Sequence, residues 1–241
     1  MKPSSKLDDP IFIPYSSRRE PNLSTKLPDK VFFTGVPGSR WSAIAQAVES
    51  GGTFNKSDRL PHRQWRVSWI RVGHQGNYFG TGMEFEPDLD QDLLAPWYDI
   101  GGTKLIKSHE WAYKLDEITE KYPDDWIMLV YRQDYESWTA WLESGGFHIP
   151  YPNYDHYENR NEMLKHIQAQ NKAMLKFSKK HKLAWEHFSA DWVYENFGHD
   201  INPFWTEEIN SDIFVTLYKP ELNKKNKKKK EEPDASTEPK K

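Results

Sequence analysis

Val31-Phe-Phe-Thr-Gly-Val-Pro-Gly-Ser-Arg-Trp-Ser42 is the stretch on which the reading of this chain turns. An apolar run ends at Thr34-Gly35, turns through Pro37-Gly38 and restarts with helical character at Ser39 or Arg40. A strand, a Gly-containing turn and a helix start together present backbone N–H groups and the positive end of a helix dipole to an anion. Gly35, Pro37 and Gly38 shape such a turn, and Ser39 and Ser42 add hydroxyl donors. The ATP- or GTP-binding pattern G-x-x-x-x-G-K-[ST] is not met, because the lysine is missing. The competing reading is an ordinary strand-to-helix turn, where Gly and Pro are expected in any case.

Outward from this loop, apolar runs alternate with helical patterns. Lys30–Thr34 reads as a strand and Trp41–Val48 as a helix. Thr103–Lys107 reads as a strand, followed by a helix over Asp116–Lys121. Trp126-Ile-Met-Leu-Val-Tyr131 carries no polar alternation, as expected of a strand covered on both faces. A helix over Tyr135–Glu143 stops at Gly145-Gly146. A long amphipathic helix follows, with Met163, Ile167, Met174 and Phe177 near helical spacing. Lys182–Glu186 reads as a further strand and Ala190–Asn196 as a helix ending at Gly198. Strands alternating with helices predict an α/β fold, a three-layer α/β/α sandwich around a parallel sheet of about five strands. Within residues 52–100 only Gln64–Val72 alternates like a strand, and Pro203–Lys219 has no clear pattern.

The composition narrows the function classes. A chain of 241 residues with 11 Trp has ample material for one core. The formal net charge is -3, yet residues 221–241 hold eight Lys against five Asp/Glu, which leaves -6 on the remainder. A mildly acidic body gives no electrostatic case for nucleic-acid binding. Cysteine is absent, which removes disulfides, thiolate metal sites and a catalytic thiol. Nine histidines show no His-x-x-x-His pair beside a carboxylate, so no metal site is predicted. No apolar run reaches membrane-spanning length and no secretory leader is visible, so a cytoplasmic protein without membrane contact is expected. The division expected is an extended segment over 1–28, one domain over 29–219 and a disordered Lys-rich tail over 220–241.

Two further strand ends bear on the chemistry. Thr103–Lys107 runs into Lys107-Ser-His109, and Trp126–Tyr131 runs into Arg132. Mg²⁺-dependent phosphoryl-transfer enzymes place an Asp at such a strand end to hold the metal. Here both ends carry cationic or hydrogen-bonding groups, which predicts an anion site that works without a metal cation. His109 at the carboxyl end of a strand, where open α/β sheets bind ligands, is a candidate base.

The arrangement resembles the sulfotransferases that use 3′-phosphoadenosine-5′-phosphosulfate (PAPS). Those proteins have a phosphate loop near the N-terminus, then a strand ending in Lys-Thr/Ser-His, then an apolar strand leading into Arg-x-Pro…Ser. This chain has Thr34–Ser42, Ile106-Lys-Ser-His109 and Leu129-Val-Tyr-Arg132-Gln-Asp-Tyr-Glu-Ser137-Trp-Thr139 in the same order. Leu183–Phe188 and Asn196–Gly198 resemble later segments, so the likeness covers roughly residues 30–198. Divergent members encoded by cyanobacterial phages are the nearest in character.

The resemblance implies a P-loop-like nucleotide-binding fold and sulfuryl transfer from PAPS to a hydroxyl or amine of a small-molecule, glycan or peptide acceptor. It casts His109 as general base, with Lys107 and Arg40 as catalytic cations. Gly35, Pro37, Gly38, Ser39, Arg40, Trp41 and Ser42 would bind the 5′-phosphosulfate side. Arg132 with Ser137 or Thr139 would bind the 3′-phosphate. Where cytosolic members have Pro-Lys-Ser-Gly-Thr-Thr, this chain has Pro37-Gly38-Ser39-Arg40-Trp41-Ser42. Gly38 therefore replaces the lysine and Arg40 stands at the following glycine. Other readings open at this point are a non-catalytic nucleotide- or anion-binding protein of the same fold and a P-loop small-molecule kinase. Arg132 has the structural alternative of pairing with Asp134 or Glu136, and Lys107 that of a solvated strand-end charge.

Overall fold

Three apolar runs of the sequence become neighbouring strands. The computed structural model describes residues 11–13, 26–59, 85, 87–144, 159–201 and 212–220. The strands are β1 (Ile11–Ile13), β2 (Lys30–Gly35), β3 (Lys104–Lys107), β4 (Trp126–Arg132), β5 (Ala184–His187) and β6 (Ile213–Tyr218). The helices are α1 (Trp41–Val48), α2 (Leu115–Lys121), α3 (Asp134–Glu143), α4 (Arg160–His181) and α5 (Ala190–Phe197). All six strands form one sheet in the order β1-β5-β6-β4-β2-β3.

Side-chain alternation in the central strands builds two cores. Phe32 aligns with Ile106 and Ile127, and this row packs on Trp111, Leu115, Ile118, Trp141, Met163 and Ile167, the layer of α2, α3 and α4. Val31 and Phe33 align with Leu105, Trp126 and Met128 and meet Ile44, Val48, Trp192 and Phe197 of α1 and α5 on the other face. Helices on both faces make the three-layer arrangement and explain why β2 and β4 read as unbroken apolar runs.

The sheet differs from the fully parallel one expected. β2 pairs in parallel with β3 and β4, and β1 with β5, but β6 runs antiparallel to both β4 and β5. Its Ile-Phe-Val-Thr-Leu-Tyr run lies in the stretch that gave no clear pattern. The remaining expected elements appear within a residue or two, including the stop of α5 at Gly198, which adopts φ 76° at the C-cap. Strand 64–72, the Gly145-Gly146 stop, the 147–158 loop and the 221–241 tail lie outside the described residues.

Two pairings hold the amino ends of the central strands in register. Lys104 Nζ bonds Asp29 at 2.5 Å, and Lys30 Nζ bonds Asp125 at 3.0 Å. The opposite, carboxyl ends at Gly35, Lys107 and Arg132 consequently form one edge. From β2 the chain moves to β3 on one side, then crosses to β4 on the other. The order reverses at β2, and a crevice at that reversal is where open α/β sheets accept ligands.

Candidate functional site

The loop after β2 is built around two left-handed residues. Gly38 has φ 82° and Arg40 has φ 57°, with Trp41 opening α1 directly afterwards. Left-handed residues in a turn can aim neighbouring amide N–H groups at an anion, as in backbone nests, though here the Ser39 amide between them is turned inward. The left-handed conformation favours glycine, and Arg40 adopts it at the position where the resembling family has glycine. Ser39, fully buried, closes the turn on itself: its amide reaches Val36 O at 3.1 Å and its Oγ donates to the same oxygen at 2.7 Å.

The start of α1 is chemically unlike the starts of α2–α5. Arg40 supplies no side-chain cap, and no acidic residue stands in the first turn. The other four described α-helices each have an Asp or Glu there, and α4 and α5 add capping side chains, Asn159 and Ser189. The dipole of α1 is thus uncompensated by any first-turn carboxylate.

His109 is fixed at four points against this loop. Its Nδ1 contacts Gly35 O, and its ring lies 4.4 Å from that of Trp41. Its backbone oxygen accepts from Thr34 Oγ1 at 3.0 Å and from Gln170 Nε2 at 2.9 Å. A carbonyl oxygen only accepts, so the neutral ring carries its proton on Nδ1 and its lone pair on Nε2. That tautomer and a buried, clamped ring suit a proton acceptor.

Arg132, from the strand on the other side of β2, also reaches the loop. Its Nη1 donates to Gly38 O at 3.0 Å while its Nε donates to Asp212 at 2.6 Å. Asp212, rather than Asp134 or Glu136, is its carboxylate partner: Asp134 instead accepts from Asn171 Nδ2 at 2.7 Å, and the same amide reaches Arg132 O at 2.9 Å. Burial, followed by the charges of Asp134 and Glu136, pushes the Tyr131 phenol upward, which marks a negative field at the start of α3.

The structure brings Gly35, Pro37, Gly38, Ser39, Arg40, Ser42, His109 and Arg132 together at one edge, and treats the remaining candidates otherwise. Ser137 is fully buried and its Oγ donates to Arg132 O at 3.3 Å, so its hydroxyl serves the strand-to-helix turn. Thr139 is on the exposed side of α3. Trp41, 3% exposed, packs between Phe33 and His109, a core position with no face offered to a base. Lys107 is buried and stands 3.6 Å from Glu49, also buried, at the far end of α1. Eight residues of helix, about 12 Å, separate that pair from the loop, so Lys107 is not delivered to it. Arg40 is exposed.

Gln170, Asn171, Asp212 and Glu49 contribute without having been singled out from the sequence. A signal for the first two existed: they fall on the Met163-Ile167-Met174 stripe of α4 and are polar there. Among the described residues no group of three His, Asp or Glu side chains could hold a metal ion, and no helix is long and apolar enough to cross a membrane. No family model, curated protein or solved structure matches the chain.

Proposed function

We propose that the chain is a PAPS-dependent sulfotransferase with a P-loop-like nucleotide site at the β2–α1 loop. The observation that carries this reading is the double anchoring of the loop: His109 from the β3 end meets Gly35 O, and Arg132 from the β4 end meets Gly38 O. Both flanking strand ends named by the resemblance converge on one loop.

In this mechanism His109 Nε2 takes the proton of the acceptor hydroxyl or amine as that atom attacks sulfur. A new bond to sulfur forms, the bond from sulfur to the bridging phosphate oxygen breaks, and 3′-phosphoadenosine-5′-phosphate leaves. The amides of the loop and of α1's first turn stabilise the charge that gathers on the departing phosphate. Arg132 stiffens the loop and directs its remaining donors toward the 3′-phosphate.

A second reading, a nucleotide- or anion-binding protein without catalysis, is favoured by one observation. The two strand-end cations, buried Lys107 and partly buried Arg132, already have carboxylate partners, Lys107 with Glu49 and Arg132 with Asp212.

Calorimetric titration with 3′-phosphoadenosine-5′-phosphate and, separately, ADP in the absence of Mg²⁺ tests the site on wild type and Arg132→Ala. Selective binding of the former, weakened in the variant, is expected. Transfer of labelled sulfate from PAPS to an acceptor panel, abolished by His109→Ala, then separates enzyme from binder. Absence of nucleotide binding overturns the sulfotransferase reading, and absence of sulfate or phosphate binding as well overturns the second.

A further inference from the structure

Immediately after Ser108 the chain makes a 3-10 turn over His109–Tyr113, with Ser108 Oγ capping Glu110 N. Residues three apart on such a turn lie one above the other, so Glu110 and Tyr113 share a side. That side faces α4, where His166 and Gln170, four apart, are also aligned. His166 Nε2 stands 3.1 Å from Glu110 Oε1, and Tyr113 Oη stands 3.4 Å from His166 Nδ1. Gln170 Nε2 donates to the same Glu110 oxygen at 3.2 Å, which holds the carboxylate in place.

A carboxylate beside Nε2 keeps the imidazole proton on that nitrogen and leaves the Nδ1 lone pair for the phenol. The order is then nucleophile, base and a carboxylate whose charge, 3.1 Å from Nε2, stabilises the imidazolium that forms as Nδ1 takes the proton. His166 and Glu110 are largely buried, with side chains 11% and 16% exposed, whereas Tyr113 is 46% exposed and open to reagents. Burial, and then the charge of Glu110, pushes the Tyr113 phenol up to about 12. The oxygen therefore keeps its proton at neutral pH and needs a base at the moment of attack.

We propose that Tyr113 is a base-assisted nucleophile and a site of covalent modification by sulfonyl- or acyl-type electrophiles, with His166 accepting its proton and the charge of Glu110 stabilising the imidazolium. With an aryl sulfonyl fluoride, Tyr113 Oη forms a bond to sulfur, the phenol proton passes to His166 Nδ1 and fluoride departs. His166 then releases the proton to water, which leaves a sulfonate ester on Tyr113. Nothing in this depends on what the β2–α1 loop binds.

The test uses the full chain, an aryl sulfonyl fluoride and peptide-resolved mass spectrometry. Tyr135 serves as the internal reference, since it is 62% exposed, more than Tyr113, and its ring neighbour is Trp138. Exposure alone ranks Tyr135 first. The relay ranks Tyr113 first, by about 10-fold or more, the scale of general-base assistance. His166→Gln is expected to bring Tyr113 to or below the Tyr135 rate, and Glu110→Gln to lower it part of the way. Equal or slower labelling of Tyr113 in wild type, or a rate unchanged by His166→Gln, overturns the proposal. Half-buried Tyr122 and Tyr131 staying unlabelled marks a folded variant. If His166→Gln does not meet that mark, the wild-type ratio of Tyr113 to Tyr135 decides the matter alone.

Discussion

Gly38 and Ser137 approach so closely that a β-carbon on residue 38 would stand 1.8 Å from the Ser137 carbonyl oxygen. The backbone at Gly38 is also left-handed, at φ 82°. The lysine of the resembling family therefore has no room here unless the loop parts from α3. Gly38 is a structural commitment of this chain, and any cation at the site must come from another position.

Gly38→Ala and Gly38→Lys are both expected to cost at least about 2 kcal/mol, from the positive φ and the clash together. Urea unfolding checks this as a lower midpoint at constant slope. Midpoints equal to wild type would show that the loop does not rest on α3.

Arg40 separates two contributions that Gly38 combines. It holds φ 57° without glycine's freedom, so Arg40→Gly is expected to leave stability unchanged or raise it by up to about 1 kcal/mol. If its guanidinium meets the nucleotide, the same variant binds 3′-phosphoadenosine-5′-phosphate roughly 10-fold more weakly, as for one charge-assisted hydrogen bond. Unchanged affinity in calorimetry would remove Arg40 from the site.

The buried pair of Lys107 and Glu49 makes a prediction about stability first and function second. Lys107→Met leaves a carboxylate buried without its cation and is expected to cost about 3 to 5 kcal/mol, while Lys107→Met with Glu49→Leu recovers most of that loss. The folded double variant is expected to bind nucleotide like wild type. A large drop in its affinity would return Lys107 to the site.

Lys219 gives the alkaline limb of the stability curve a definite sign. Burial, opposed by the charge of Glu186, holds its ammonium down to about 8, from an ordinary 10.5. Between these values the unfolded chain binds more protons than the folded one, so stability rises as pH climbs from about 8 to 10.5. Lys30 behaves oppositely: burial lowers it, but Asp125 and Asp29 prevail and leave it raised. Its contribution is complete below the unfolded value of 10.5 and is lost as pH rises through the higher folded one. Lys219→Met gives up the contact with the Trp126 ring at 4.6 Å, yet is expected to gain about 1 kcal/mol at pH 7 and to abolish the rise. Thermal or urea unfolding from pH 7 to 10.5 reads both effects.

Much of the architecture was legible because β2 and β4 are covered on both faces and so are written as unbroken apolar runs. The three strand ends at Gly35, Lys107 and Arg132 followed from those runs. β6 and its direction did not, since Ile213–Tyr218 lies in a stretch without a clear pattern and its buried positions do not alternate. At the site, His109 and Arg132 were found by their position at strand ends. Their partners were not: Asp212 lies 80 residues from Arg132 and Gln170 lies 61 from His109, separations at which pairing is decided only by the folded sheet. Lys107 shows the converse, a strand-end residue whose side chain leaves along the opposite direction, under α1. Trp41 likewise was spent on the core.

The interposed β6 also imposes an order on assembly. As the chain is synthesised, β2, β3 and β4 can associate early, but the outer edge of β4 then waits, and β5 with β1 has no strand pairing to them, only side-chain contacts such as those of Phe12 and Trp185 with Tyr131. The last strand must slot between two partners already made, a non-local pairing of the kind that slows folding and leaves an adhesive edge open meanwhile. Asp212, the partner of Arg132, arrives with that same strand. The edge that gathers Gly38, His109 and Arg132 is therefore completed only at the final step of sheet closure, and a chain ending before Asp212 would present two fragments of sheet and an Arg132 without this carboxylate.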